Sequence, residues 1–158
     1  SSALLSELLV AGQKVVDIGS GAGLPGIPMA IASPYCQFTL VEPMERRSNW
    51  LNGAIEEIGL KTVVVIRSRA EELHRTDFDV ATARAVAALD KLVRLLSPLI
   101  RGSEGKTILA LKGSKAPEEI ESASDRLELL GFDNPEILTL GLGKALETAT
   151  VVRIRLKA

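Results

Sequence analysis

The chain has 158 residues, 46% of them hydrophobic, which suits one α/β domain with a substantial core. Nineteen basic against twenty acidic side chains leave a net charge of −1, so overall charge draws the protein to neither nucleic acid nor membrane, and any polyanion must meet a local patch. The single cysteine, Cys36, excludes an intrachain disulfide, and no apolar run has membrane-spanning length, so the expected setting is the reducing cytoplasm with no membrane partner.

The chain opens inside a helix-like pattern (Ala3-Leu4-Leu5, Leu8-Leu9) without a starting Met, and the expectation is one domain over residues 1–158 that lacks a preceding helical segment. Strands are expected at 14–18, 38–42, 62–67, 78–83, 106–111, 136–140 and 148–156, and helices at 26–32, 45–59, 87–100 and 117–130. Their alternation is the α/β signature. The helix after Glu42 should place Trp50, Leu51, Ala54, Ile55 and Ile58 on one stripe and stop at Gly59. The last helix carries Glu118 and Glu119 in its first turn, where the helix dipole favours acids, and ends at Gly131. Only a loop, Gly141-Leu142-Gly143-Lys144, joins the final two strands, so they must pair antiparallel or leave the parallel scheme. The predicted sheet is Rossmann-like and mostly parallel with a C-terminal antiparallel strand, unlike a dinucleotide-binding sheet whose second half repeats the parallel pattern.

The first strand carries Asp17 next to its end and runs directly into Gly19-Ser20-Gly21-Ala22-Gly23-Leu24-Pro25-Gly26. Glycines in such a turn admit positive φ and let backbone amides approach a ligand at the entrance to a helix. A second apolar run, Phe38-Thr39-Leu40-Val41, closes on Glu42. Two strands ending in acids with a glycine turn between them describe a site for an adenosine bearing a positive charge. Gly21 to Gly26 also satisfies G-x-G-x-x-G formally, which keeps a nicotinamide cofactor open. Counted from Gly19, however, the sixth position is Leu24, and that register weighs against it. Glu42 does not discriminate, since an acid there can grip the ribose of any adenosine cofactor or be an ordinary polar strand end.

Asp17 to Pro28, Phe38 to Glu42, Arg67-Ser68-Arg69-Ala70-Glu71-Glu72, Phe78-Asp79 leading to Ala83-Arg84-Ala85, and Ala110-Leu111-Lys112-Gly113 together resemble the bacterial rRNA small subunit methyltransferase G family, also called glucose-inhibited division protein B. The resemblance covers essentially the whole chain. The D-x-G-x-G core is shared by S-adenosylmethionine-dependent methyltransferases at large, while the Leu-Pro-Gly-Ile-Pro extension is specific to this family. Relatives look longer at the N-terminus. The resemblance implies a class I methyltransferase fold and a cytoplasmic enzyme that moves a methyl group from S-adenosylmethionine to N7 of a guanine in small-subunit (16S) ribosomal RNA. Ribosomal RNA or the ribosomal subunit is then the partner; a monomer without metal is expected.

Beside that resemblance, Gly19, Gly21 and Gly23 would pass under the methionine part of the cofactor, with Leu24 nearby and Asp17 supplying negative potential. Glu42 would accept from the ribose hydroxyls. Ala70 and Glu71, as in relatives, would border the adenine, although Glu71 reads equally well as a solvated acid. Arg69, Arg84 and Lys112 follow the third, fourth and fifth strands, and in an open α/β sheet those positions share the ligand-bearing rim. Matching positions in the family imply Arg84 on the cofactor and target side, and Arg69 and Lys112 on phosphates or the guanine edge. Arg46, Arg47 and Lys115 extend the patch or are simply solvated.

The fourth strand ends in Thr82-Ala83-Arg84-Ala85, without the Asp/Asn-Pro-Pro-aromatic turn used on exocyclic base amines. Cys36 sits far from the rim, which argues against a covalent cysteine route, and His74 reads as a surface residue. With no general base, the fitting target is an atom that needs none, such as guanine N7. The competing readings are a small-molecule methyltransferase, a nicotinamide-dependent oxidoreductase, and an RNA- or ribosome-binding module without turnover.

Overall fold

Seven apolar runs assemble into a single sheet of order β3-β2-β1-β4-β5-β7-β6. The computed structural model describes residues 2–21, 23–84, 88–101, 106–112, 116–141 and 148–157. The strands are β1 (Lys14–Ile18), β2 (Gln37–Val41), β3 (Val63–Ile66), β4 (Val80–Arg84), β5 (Thr107–Leu111), β6 (Glu136–Leu140) and β7 (Ala149–Arg155). The helices are α1 (Gly26–Ala32), α2 (Glu45–Ile58), α3 (Leu89–Leu96) and α4 (Ala116–Leu129). β1 to β5 are mutually parallel, and β7 lies antiparallel between β5 and β6. A dinucleotide-binding sheet would run a sixth parallel strand beside β5, so the inserted antiparallel β7 disfavours the nicotinamide reading.

Side chains of the central strands alternate between two cores. Val16, Ala81, Ile108, Val152 and Ile154 pack on one face with Leu92, Leu96 and Leu127 of α3 and α4. Val15, Leu40, Leu109 and Val151 pack on the other with Ile27, Met29 and Leu51 of α1 and α2. Both faces are covered, as a parallel sheet requires. β1 sits where the chain turns back: β2 and β3 extend to one side of it and β4 and β5 to the other. The C-terminal ends of β1 and β4 therefore open onto a topological switch point, the place where ligands bind in such sheets.

The helix stops behave as their glycines predict. Gly59 adopts φ 79° and its N–H donates to Ile55 O and Glu56 O, and Gly131 (φ 84°) closes α4. The N-terminal helix-like pattern forms a 3-10 helix, Ser2–Leu8, whose Leu5 is fully buried. Two expectations need correction. The predicted helix over 87–100 is α only to Leu96 and continues as a 3-10 turn, Ser97–Ile100, because Pro98 lacks the N–H that an α turn needs. The stripe expected on α2 is narrower than five residues: Leu51, Ala54 and Ile55 face the core, while Trp50 is 55% and Ile58 51% exposed. Ser48, Leu51 and Ile55 centre the docked face, and Trp50 lies about 100° from Leu51 on the side away from Ser48 and Ile55, at the edge of that face.

Candidate functional site

Asp17 lies in the middle of the sheet, paired in register with Leu40 and Thr82, and is fully buried. Its Oδ2 accepts from the Ser20 hydroxyl at 2.9 Å and from the Gly26 N–H at 3.0 Å, which ties both ends of the glycine turn to the strand. Its Oδ1 has no hydrogen-bond partner among the described residues. Burial pushes this carboxyl up to about 7, against the Ser20 hydroxyl, the Gly26 N–H and the charge of Arg84, all of which act to lower it. Asp17, expected to supply negative potential near the cofactor, is enclosed behind the turn, so its direct contacts are with the turn and any influence on a ligand is through space.

The turn itself is fixed by close packing. A Cβ on Gly26 would collide with the Leu40 side chain and come within 2.7 Å of Asp17 Oδ2, so α1 approaches the sheet only because residue 26 has no side chain. Gly23, at φ 88°, would meet Ile27 Cδ1 at 2.6 Å. Leu24, half-buried, donates its N–H to Ser20 O at 3.2 Å. Gly19 donates its N–H to Val41 O at 2.9 Å, stitching the turn to the end of β2.

Glu42 directly follows β2 and is 3% exposed. Its Oε2 accepts from the Gly21 N–H at 3.2 Å and its Oε1 from the Met44 N–H at 3.4 Å. The Ser48 hydroxyl donates to the Glu42 carbonyl at 3.0 Å, anchoring the start of α2. Acid and turn thus meet over the C-terminal ends of β1 and β2. Beside them opens a cavity of about 480 Å³, walled by Ile18, Gly19, Val41, Pro43 and Met44 and by Ser68, Arg69, Ala70 and Glu71 across from them. A largely apolar cleft of this size with a few polar groups at its edge is the usual form of a small-molecule site. Its Ala70 and Glu71 belong to a 3-10 turn, Ala70–Glu72, that follows β3 and that sequence periodicity is too short to reveal.

The rim cations separate. Arg69 is exposed and lines the cavity, and Arg84 is exposed at the end of β4, near enough to act on Asp17. Lys112 does not join them. Its side chain is 4% exposed and its Nζ pairs with Glu119 of α4 at 2.7 Å, so the contact with phosphate or the guanine edge expected of it would require that pair to open. Lys115 falls outside the described residues. Cys36 is buried and His74 exposed, both away from the cavity walls. Sequence reasoning missed Ser20 and Gly26 as fasteners of Asp17. The signal is partial: a buried acid requires nearby donors, but the burial of Asp17 depends on β1 lying between β2 and β4, which the local pattern does not give.

The residues present suit an adenosine cofactor with a charged tail. The cavity has apolar walls for a base, Glu42 stands between its wall residues Val41 and Pro43 with its carboxylate on the Gly21 and Met44 N–H groups, and Gly19 of the glycine turn lines it.

Residues 1–146 match the model of the rRNA small subunit methyltransferase G family. The protein of that name from Pseudarthrobacter chlorophenolicus is 44% identical over 153 residues, covering 96% of this chain and 70% of the relative. Its counterpart from Mycolicibacterium smegmatis is 44% identical over 162 residues, covering 100% of this chain and 68% of the relative. Among solved structures, an S-adenosylmethionine-dependent O-methyltransferase from Thermotoga maritima superposes with TM-score 0.74 at 14% identity, over 99% of this chain and 64% of the other. Magnesium protoporphyrin IX methyltransferase from Synechocystis, solved with S-adenosylmethionine bound, gives TM-score 0.68 at 13% identity, over 98% and 74%. These two share the class I methyltransferase fold with this chain, and the sequence matches, which span nearly all of it, establish that it belongs to the rRNA small subunit methyltransferase G family.

Proposed function

We propose that this protein methylates N7 of a guanine in small-subunit ribosomal RNA, using S-adenosylmethionine. The observation that carries the reading is the match, over nearly the whole chain, to relatives named for methylating small-subunit ribosomal RNA. When bound, S-adenosylmethionine supplies a methyl group activated by a sulfonium. The chain's own part is placement. Glu42 accepts from the ribose hydroxyls in exchange for, or alongside, the Gly21 N–H it now holds. Ala70 and Glu71 border the adenine, and Gly19 and Gly21 leave room for the charged tail. Arg69 and Arg84, exposed at the ends of β3 and β4, take RNA phosphates and steer the base toward the switch point.

No proton need be removed from guanine N7, whose lone pair is free, and the site is consistent with that economy. Asp17, enclosed behind the turn, has no exposed surface from which to reach a substrate proton. Catalysis then rests on in-line positioning. The test is transfer of tritiated methyl groups to small-subunit ribosomal RNA, both protein-free and within assembled subunits, followed by identification of the nucleoside. Label in 7-methylguanosine is expected. Label on another atom would overturn the N7 assignment, and none in either RNA would overturn the RNA substrate.

A further inference from the structure

The chain has one tryptophan, and the fold leaves it 55% exposed on α2. Helix α2 docks through Leu51 and Ser48, both buried, so packing makes no demand on the face that carries Trp50. Arg46 and Arg47 precede Trp50 by four and three residues, the spacings that bring side chains together on a helix. Both arginines are exposed, and neither makes an ion pair among the described residues. The neighbouring acid, Glu45, is engaged instead with Arg67 at 3.7 Å. Arg47 reaches toward the glycine turn, its Nη1 lying 4.0 Å from where a Cβ on Gly21 would stand.

These residues form a groove of about 410 Å³ with Gly21 and Met44. Met44, 51% exposed, also walls the adenosine-sized cavity, so groove and cavity adjoin across one side chain. An aromatic ring open to solvent beside two guanidinium groups one helical turn away matches the chemistry of unpaired nucleic acid: a base stacks on the ring while neighbouring phosphates pair with the cations. A neutral apolar partner would leave both charges unused, and an acidic peptide would leave the ring without a stacking mate.

We propose that Trp50, Arg46 and Arg47 form a stacking platform for an unpaired nucleotide that flanks the target guanine in the RNA substrate. The inference rests on the methyltransferase reading and adds a second RNA contact, separate from Arg69 and Arg84. Because Trp50 is the only tryptophan, its emission reports on this face alone.

The experiment titrates the protein with protein-free small-subunit ribosomal RNA, following tryptophan fluorescence, filter binding and methyl transfer in parallel. Emission should be quenched as RNA binds. Trp50→Ala should weaken RNA binding by about tenfold and raise KM for RNA with little change in kcat or cofactor affinity, and Trp50→Phe should restore most of it. Arg47→Gln should reduce the log–log salt slope of binding by about 0.7–0.9. An unchanged melting midpoint in Trp50→Ala separates loss of contact from loss of fold. Should RNA bind and be methylated with unquenched emission and full affinity in Trp50→Ala, the platform is wrong while the methyltransferase reading stands. If Trp50→Ala impairs methylation of assembled subunits but not of protein-free RNA that the parent methylates, the face contacts a ribosomal protein and the proposal falls. If the parent neither binds nor methylates either RNA, the functional reading fails and takes the platform with it.

Discussion

The two sides of the sheet's C-terminal rim treat their charged side chains in opposite ways. Over β1, β2 and β3 the chain builds a cleft in which Arg69 stays open and Glu42 holds only backbone N–H groups. Over β5, the corresponding cation, Lys112, is drawn under α4 and neutralised by Glu119. The strands are equivalent in topology, since each ends at the same rim. What differs is the segment that follows. After β3 comes a short 3-10 turn with its acids exposed, whereas α4 follows β5 with Glu118 and Glu119 in its first turn, one of them facing back to the strand end. A basic residue at a strand end is therefore available to ligand only if the next helix does not offer it an acid.

The largest way to disturb the open side is at its tightest contact. Gly26→Val places a branched side chain against Leu40 and Asp17 Oδ2, where even a Cβ does not fit, and should cost more than about 3 kcal/mol or abolish folding. Gly19→Ala is the control. It meets nothing within 4 Å but must hold φ 67°, and should cost about 1–2 kcal/mol. Urea denaturation of both variants ranks them, and equal losses would mean that the Gly26 packing is not the constraint.

Asp17 gives the next effect, and it depends on pH. Its folded-state value, about 7, stands above the ordinary 3.8, so the folded protein binds the proton more tightly than the unfolded chain. The associated stability is fully present below about pH 4, shrinks as pH rises, and is gone above about pH 7. Between pH 5 and pH 8 the parent should lose roughly 2–3 kcal/mol through this group. Asp17→Asn, neutral throughout, should flatten that slope. Denaturation midpoints at pH 5, 6.5 and 8 for both proteins check it, and parallel pH profiles would show that the carboxyl ionises normally.

These two residues also mark where sequence reading stops. The strands are legible because apolar runs of four to seven residues between glycine and polar breaks have few other uses, and β1 and β6 start and end where the pattern places them. The position of Glu42 is legible because a strand end can be counted, while Ala70 and Glu71 are singled out through the family resemblance and not by any local pattern. Burial of Asp17 follows from β1 being flanked by β2 and β4, a fact of topology and not of local pattern. The Lys112–Glu119 pair joins the residue after β5 to α4, seven residues on, and its formation depends on how α4 is aimed. Hydrophobicity alone puts Trp50 on the buried stripe, whereas the face that docks is centred on Ser48, Leu51 and Ile55 and leaves Trp50 at its edge.

Glu42 tests the cleft without touching the core. Glu42→Ala removes the acceptor offered to a ribose and releases the Gly21 N–H from its partner. Cofactor binding should weaken by about 2 kcal/mol, near thirtyfold, the scale for hydrogen bonds to a charged group. Calorimetric titration with S-adenosylmethionine or S-adenosylhomocysteine measures it, with the melting midpoint as a folding control. Unchanged affinity in a folded variant would move the ribose elsewhere in the cavity.

The smallest effect sharpens the comparison most. Arg69→Gln removes an exposed charge at the mouth of the cavity, and if it contacts a phosphate the log–log salt slope of RNA binding should fall by about 0.7–0.9. The loss of affinity should be modest at physiological salt and stability should hardly move, because no ion pair is broken among the described residues. Lys112→Met should do the reverse. It leaves Glu119 without its partner and lowers stability by about 2 kcal/mol, less than a wholly buried pair because Glu119 keeps 23% of its side chain exposed, yet the salt slope should stay at the parent value. Binding isotherms at four or five salt concentrations, read with denaturation curves, separate the two residues on independent axes. A reduced slope in Lys112→Met would mean that Glu119 releases the lysine when RNA arrives, and that the two sides of the rim act alike after all.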